Sequence, residues 1–362
     1  MTDSDAMEPK ITNPSNPNIK RICLASLVNA VYEIERNREK DSKAASKWHE
    51  KFNYKCKQIL RTPSDGSIFG AVFVLCGTNT VVIAFRGTLF SRANMRTDVH
   101  DDLKLIVQQL HKVSRIDEAL RVTREMAIEY GPQNISLAGH SLGAAIAMQV
   151  GREMAMEGFI LDTHLFNPPF FSLIPVRHEI IGFYNEKLRQ SAALHLSRRS
   201  KDNDARAQAQ ATFTALQKWN PNLYINVSDP VCCNYVHYFR ARDSSTAQNS
   251  IINSLLDLMG QNPLPHHLMP SANLFINSTL PLKVNAAHGL YKRRFRKMKE
   301  AKQSVSEWCS RKFNIVVHGL SQWWSEDTPP LQDEQYRLDV QQFADTVNKF
   351  AEVEGISEDS SC

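Results

Sequence analysis

A chain of 362 residues, 42% of them hydrophobic, can bury a large core and reads as an enzyme-sized globular protein, either one large α/β domain or two ordinary ones. Its formal charge of +5 is small for that length, and most basic residues are interleaved with acidic ones, which argues against nucleic-acid binding. No apolar run approaches the roughly 20 residues needed to span a bilayer. The seven cysteines are odd in number and scattered, so neither structural disulfides nor a zinc site is expected, and a reducing cytoplasm fits.

In chain order, residues 1–18 are polar and rich in Pro and Asn, and read as a disordered lead-in, not a signal peptide. From Arg21 to Glu39, Leu24, Leu27, Val28 and Val31 recur at helical spacing and predict an amphipathic helix laid on a core. The stretch "SIFGAVFVLCGTNTVVIAFRG" predicts a strand from Ile68 to Leu75, a tight turn, and a second strand from Thr80 to Phe85. A helical pattern from Asp117 to Tyr130 stops at Gly131. Ile135 to Ala138 is short enough for a buried strand, Leu142 to Met156 long enough for a helix, and "THLFNPPFF" and "LYINVSDPV" continue the alternation. Strands alternating with helices predict an α/β fold with a mainly parallel central sheet and helices on both faces.

In Gly139-His140-Ser141-Leu142-Gly143 a serine sits where a strand turns directly into a helix, a turn tight enough to need glycines two residues to either side. This is the nucleophile-elbow pattern, which holds Ser141 Oγ clear of the backbone, and the free N–H groups of the following helix favour negative charge beside it. G-x-S-x-G alone arises by chance in roughly one chain in ten of this length. The predicted strand before it, the helix after it and the small residues Ala144, Ala145 and Ala147 make it specific. A serine nucleophile also needs a base and an acid to orient that base, in the chain order Ser, Asp or Glu, His. Asp229 is the best acid, at the end of a strand-like run and just before a proline.

"VVIAFRGT", "LAGHSLG" and "NVSDPV" together resemble the class 3 (fungal-type) triacylglycerol lipases. "LVNAVYEIERNRE", "GSIFGA", "FNPPFF" and "HHLMPSANLFIN" are similar to a plant branch of lipase-like proteins often labelled GDSL esterase/lipase, although that branch has the G-x-S-x-G elbow and no GDSL block. The likeness covers about residues 20 to 325. It implies an α/β-hydrolase fold over residues 19–350, with Ser141 as nucleophile, Asp229 as acid, and the N–H groups of Thr88 and Leu142 as oxyanion donors. It also implies an ester of a fatty acyl chain as substrate; the acyl-transfer chemistry requires no metal or organic cofactor.

The histidine departs from the family pattern. That branch carries one "AHGI-x-QWW"-like block, whereas here "AAHGL" (residues 286–290) and "VVHGLSQWW" (residues 316–324) are 30 residues apart, as though a segment were inserted. His288 keeps the usual distance from the "NLFIN" strand and His318 keeps the tryptophans. The imidazole has to lie about 2.6 to 3.2 Å from each partner, and spacing from the strand favours His288. His266 and His267, in a Pro-flanked loop, read as surface residues.

The segment between the two copies, 289–317, holds Lys292, Arg293, Arg294, Arg296, Lys297, Lys299 and Lys302; it reads as a solvated helix or as a contact for an anionic membrane surface. A second helix-prone insertion, 186–213, falls where hydrolase caps often shape an acyl pocket, and 351–362 reads as a flexible tail. The expected activity is hydrolysis of carboxylic esters through a Ser-Asp-His triad and an acyl-enzyme. The disrupted histidine block keeps one alternative open, a catalytically inactive lipase-like scaffold.

Overall fold

The structure, a computed structural model, describes residues 16–39, 52–89, 113–170, 213–229, 231–243, 269–278, 317–324 and 331–337. His266, His267, His288, the run from Lys292 to Lys302, residues 186–212, the tail and nearly all of the lead-in lie outside them.

Among the described residues eight strands form one sheet in chain order: β1 (Tyr54–Arg61), β2 (Ile68–Leu75), β3 (Val81–Phe85), β4 (Ile135–His140), β5 (Asp162–Phe166), β6 (Asn222–Asn226), β7 (Ser271–Asn277) and β8 (Gln332–Arg337). β3 to β7 run parallel, β1 and β2 add an antiparallel hairpin at one edge, and β8 pairs antiparallel with β7 at the other. The mainly parallel α/β sheet expected from the sequence is therefore present, and with its strand, serine and helix elbow it has the architecture of an α/β-hydrolase.

The helices are α1 (Pro17–Glu39), α2 (Val113–Tyr130), α3 (Leu142–Met156), α4 (Asn234–Asp243) and the one-turn α5 (Ser321–Trp324). Neighbouring parallel strands joined by crossovers of a single hand place their helices on one face. Accordingly α2, α3 and α4 pack with Val81, Ile83, Phe85, Ile135, Leu137, Leu165 and Leu223 in one core. α1 and Trp323 of α5 cover the other face, over Val82, Ala84, Ala138, Phe166 and Tyr224. With both faces covered, β3 and β4 are buried at every position instead of at alternate ones. The sheet thus presents the C-terminal ends of its parallel strands together, where an open α/β sheet binds its ligands.

Candidate active site

β4 ends at His140 and α3 begins at Leu142, so Ser141 alone makes the turn, with φ 54° and ψ −124°. A non-glycine residue with positive φ costs about 1–3 kcal/mol, and such strain persists where the surroundings enforce it. They do so here by close approach. A Cβ on Gly139 would lie 2.2 Å from the Gly143 carbonyl oxygen, and a Cβ on Gly143 would lie 2.3 Å from that of Phe85. Ser141 N–H donates to the Phe166 carbonyl at 3.0 Å, which ties the turn to β5. Leu142 is buried as the first residue of α3, a position where the backbone N–H has no intrahelical acceptor.

The arm after β3 lies against this turn, since a Cβ on Gly87 would come within 2.9 Å of Ser141 Cβ. Arg86 Nη1 donates to the Gly87 carbonyl at 2.7 Å, and its Nη2 pairs with Glu35 Oε1 of α1 at 3.3 Å. In a planar trans peptide the carbonyl of one residue and the N–H of the next point opposite ways. Holding the Gly87 carbonyl therefore sets the direction of the Thr88 N–H, which faces away from the guanidinium. Glu35, only 1% exposed, also accepts from Ile68 N–H at 3.0 Å and from Arg38 at 2.6 and 2.8 Å. Burial raises its carboxyl and these donors outweigh that, holding it below the usual carboxylate range.

Asp229 follows β6 and is fully buried. Its Oδ1 accepts from Val231 N–H at 3.0 Å, and its Oδ2 accepts from Asn167 Nδ2 at 2.6 Å and from Cys232 Sγ at 3.3 Å. The same Oδ2 lies 2.7 Å from His318 Nδ1. Burial pushes the carboxyl up, but the imidazole, the Val231 N–H and the Asn167 amide push it further down, so Asp229 sits below its ordinary value and is ionised. An ionised carboxylate only accepts hydrogen bonds, so Nδ1 of His318 carries the proton and Nε2 presents a lone pair when the ring is neutral. Nε2 of His318 and Oγ of Ser141 are both buried without a hydrogen-bond partner.

Sequence spacing favours His288, which lies outside the described residues; the geometry instead joins His318 to Asp229. Tertiary contacts replace chain spacing. Gln322 Nε2 donates to the carbonyls of Val317 and Gly319, while its Oε1 accepts from Asn226 Nδ2 at 2.7 Å and Asn277 Nδ2 at 3.3 Å, the last residues of β6 and β7. Trp323 donates its indole N–H to Asn167 Oδ1, whose amide bonds Asp229. The whole "HGLSQWW" block is docked onto the strand ends however long the preceding segment is, because the cost of closing a loop grows only slowly with its length.

Of the residues singled out in the sequence, Ser141, Leu142, Asp229 and His318 lie around the ends of β4 to β6, with the Gly87–Thr88 arm against Ser141. Asn167, Gln322, Tyr32 and His140 were not foreseen. Asn167 has φ 47°, a second positive-φ residue at the end of a parallel strand, and its place before the Pro pair of "FNPPFF" is the one signal that marks it. Among the described residues no group of three or more His, Cys, Asp or Glu side chains is placed to hold a metal, and no helix is long and apolar enough to cross a membrane.

No family model matches the chain. Over 315 residues it is 29% identical to a GDSL esterase/lipase of Arabidopsis thaliana, across 76% of this chain and 89% of that protein. Among solved structures it is similar to a lipase from Rhizopus microsporus var. chinensis, with a TM-score of 0.34, 14% identity, and coverage of 64% of this chain and 76% of that one. By the Arabidopsis relative's name, the likeness is to lipase-like proteins in general.

Proposed function

We propose that the protein is a serine hydrolase of carboxylic esters, with Ser141 as nucleophile, His318 as base and Asp229 as the acid that orients it. The supporting observation is the pair of buried atoms left without partners, Ser141 Oγ and His318 Nε2, beside an Asp229–His318 hydrogen bond of 2.7 Å. Buried polar atoms are nearly always bonded, and orphaned ones in a native site call for a role. A donor hydroxyl and an acceptor nitrogen are what acyl transfer needs, and this bond is often long until substrate binds.

In this reading His318 Nε2 takes the Ser141 proton as Oγ attacks the ester carbonyl carbon. The Thr88 and Leu142 N–H groups hold the resulting oxyanion, helped by the N-terminus of α3. His318 then gives its proton to the leaving alkoxide, the C–O bond breaks, and an acyl-Ser141 ester and free alcohol remain. Water, deprotonated by the same nitrogen, attacks the acyl-enzyme and releases the acid. Asp229 keeps the imidazole in the Nδ1–H tautomer and stabilises its charge. The lipase and esterase names of the similar proteins support an acyl-lipid ester as substrate.

The test is hydrolysis of p-nitrophenyl esters of short and long acyl chains by the wild type, Ser141→Ala, His318→Ala and His288→Ala. Turnover lost in Ser141→Ala and His318→Ala but kept in His288→Ala supports the triad. Turnover that depends on His288 and not on His318 rejects His318 as the base. No Ser141-dependent turnover at any chain length rejects the hydrolase reading in favour of a lipase-like scaffold.

A further inference from the structure

A hydrogen-bonded chain that the acyl-transfer scheme does not use runs through the elbow. Gly87 N–H donates to Tyr32 Oη at 2.7 Å; Tyr32 Oη lies 2.9 Å from His140 Nδ1; and His140 Nε2 lies 2.8 Å from the His318 carbonyl oxygen. A carbonyl only accepts, so His140 Nε2 carries the proton and Nδ1 is a bare acceptor. Tyr32 must then donate to Nδ1, and its oxygen accepts from Gly87. Every proton is assigned by the two backbone ends of the chain.

We propose that Tyr32 and His140 are positioning residues that hold the oxyanion arm and the histidine-bearing turn in register with Ser141, a proposal that rests on the hydrolase reading above. Each end of the chain is a site element. Gly87 immediately precedes Thr88, His140 immediately precedes Ser141, and the last acceptor is the backbone of His318, 178 residues from His140 in sequence. Three chain segments that bear separate parts of the machinery meet at one phenol and one imidazole, and the phenol belongs to a fourth, α1.

The arrangement has no slack. A Cβ on Gly87 would lie 2.6 Å from Tyr32 Oη and 2.9 Å from the His140 carbonyl oxygen. With its N–H held by Tyr32 and its carbonyl by Arg86, Gly87 is fixed at both polar groups, and the next N–H in the chain is the Thr88 donor. The His140 and His318 ring centroids lie 5.1 Å apart, so the proposed base packs directly against its neighbour. The titratable groups facing His140 are Tyr32, His318 and Asp229. Burial, reinforced by His318, pulls the His140 imidazole down to about 3, and burial pushes the Tyr32 phenol up to about 12, so both stay neutral and the proton assignment holds across the working range.

The test compares kcat and KM for p-nitrophenyl acetate in the wild type, Tyr32→Phe, His140→Ala, His140→Gln and the Tyr32→Phe/His140→Ala double variant, with unfolding midpoints measured on each. Tyr32→Phe and His140→Ala are expected to lower kcat by about ten- to hundredfold with KM changed by less than about twofold, because geometry is lost and substrate contact is not. The double variant should lose no more than the worse single one, since either change breaks the same link. His140→Gln should recover part of the Ala loss, because its amide N–H can reach the His318 carbonyl.

Variants with wild-type kcat, losses that follow KM or the unfolding midpoint, or a Gln variant as slow as the Ala one would each overturn the proposal. If His140→Ala does not fold, Tyr32→Phe, which removes a single oxygen, decides alone. A wild type without Ser141-dependent turnover overturns the hydrolase reading first, and this proposal with it.

Discussion

Two groupings of serine, histidine and aspartate lie at opposite ends of the same parallel strands. At the C-terminal ends are Ser141, His318 and Asp229; at the N-terminal ends are Ser136, His164 and Asp162, about 16 Å away along β4 at about 3.3 Å per residue. In the second grouping every partner is taken. Ser136 Oγ donates to Asp162 Oδ2 at 2.8 Å, His164 Nε2 lies 2.9 Å from the same oxygen, His164 Nδ1 lies 3.0 Å from Tyr224 Oη, and Lys20 pairs with Asp162 at 2.7 Å. The serine there faces the carboxylate instead of the imidazole, in regular strand geometry and not at a strand-to-helix turn. A cavity of about 220 Å³ opens next to it, lined among others by Lys20, Tyr54, Ser136 and Asp162, yet every polar atom of the trio is already satisfied. The same three residue types are therefore structural at one end. At the other, a strained turn carries Ser141 Oγ, which like His318 Nε2 is buried without a partner.

The largest expected contrast breaks one serine at each end. Ser141→Ala should lower kcat on a p-nitrophenyl ester by about a thousandfold or more, whereas Ser136→Ala should leave it within about twofold. Equal losses would erase the distinction. Asp229→Asn should also cost about 10³- to 10⁴-fold in kcat, because the amide can stabilise the wrong imidazole tautomer; Asp162→Asn should spare kcat and lower the unfolding midpoint by about 2–4 °C.

Asn167→Ala removes one donor from Asp229 and leaves the Trp323 indole N–H buried without its acceptor. It should cost about 1–3 kcal/mol of stability in urea unfolding, with a fall in kcat but no loss of Ser141 labelling by a fluorophosphonate. The smallest effect is a pH dependence. The folded His140 value near 3 lies below its ordinary 6.5, so the unfolded chain takes up the proton first. Its stabilising contribution is complete above pH 6.5 and is lost progressively as pH falls towards 3. Between pH 6.5 and 5 that loss amounts to about 2 kcal/mol in the wild type and should vanish in His140→Gln, as compared by urea unfolding at the two pH values.

The centre of the sheet was legible in the sequence and its edges were not. β2 and β3 are apolar runs, β4 to β6 are short and largely buried because helices cover both faces, and the helix over Leu142–Met156 matches its expected bounds. β1 and β8 escaped because "YKCKQILR" and "QDEQYR" are polar edge strands, each paired on one side and mostly exposed or half-buried. α4 escaped for a related reason: "NYVHYFRARD" buries aromatic residues instead of repeating an aliphatic stripe. The site divides in the same way. The elbow glycines, Ser141 and Asp229 stand out because local backbone geometry demands those residue types at those positions. Tyr32, His140 and Gln322 carry no local signal and Asn167 only the Pro pair that follows it, since each is defined by a partner far away in the chain.

The sequence by itself determined the alternation of elements, the elbow and the place of Asp229 at the end of a strand, all of which follow from short-range sterics and hydrophobic periodicity. Only the tertiary structure decided which histidine meets Asp229. Linear spacing pointed to His288, but the position of an imidazole is set by what holds its turn in place. Gln322 on the ends of β6 and β7, Trp323 on Asn167 and His140 on the His318 carbonyl fix that turn through contacts that no count of intervening residues contains.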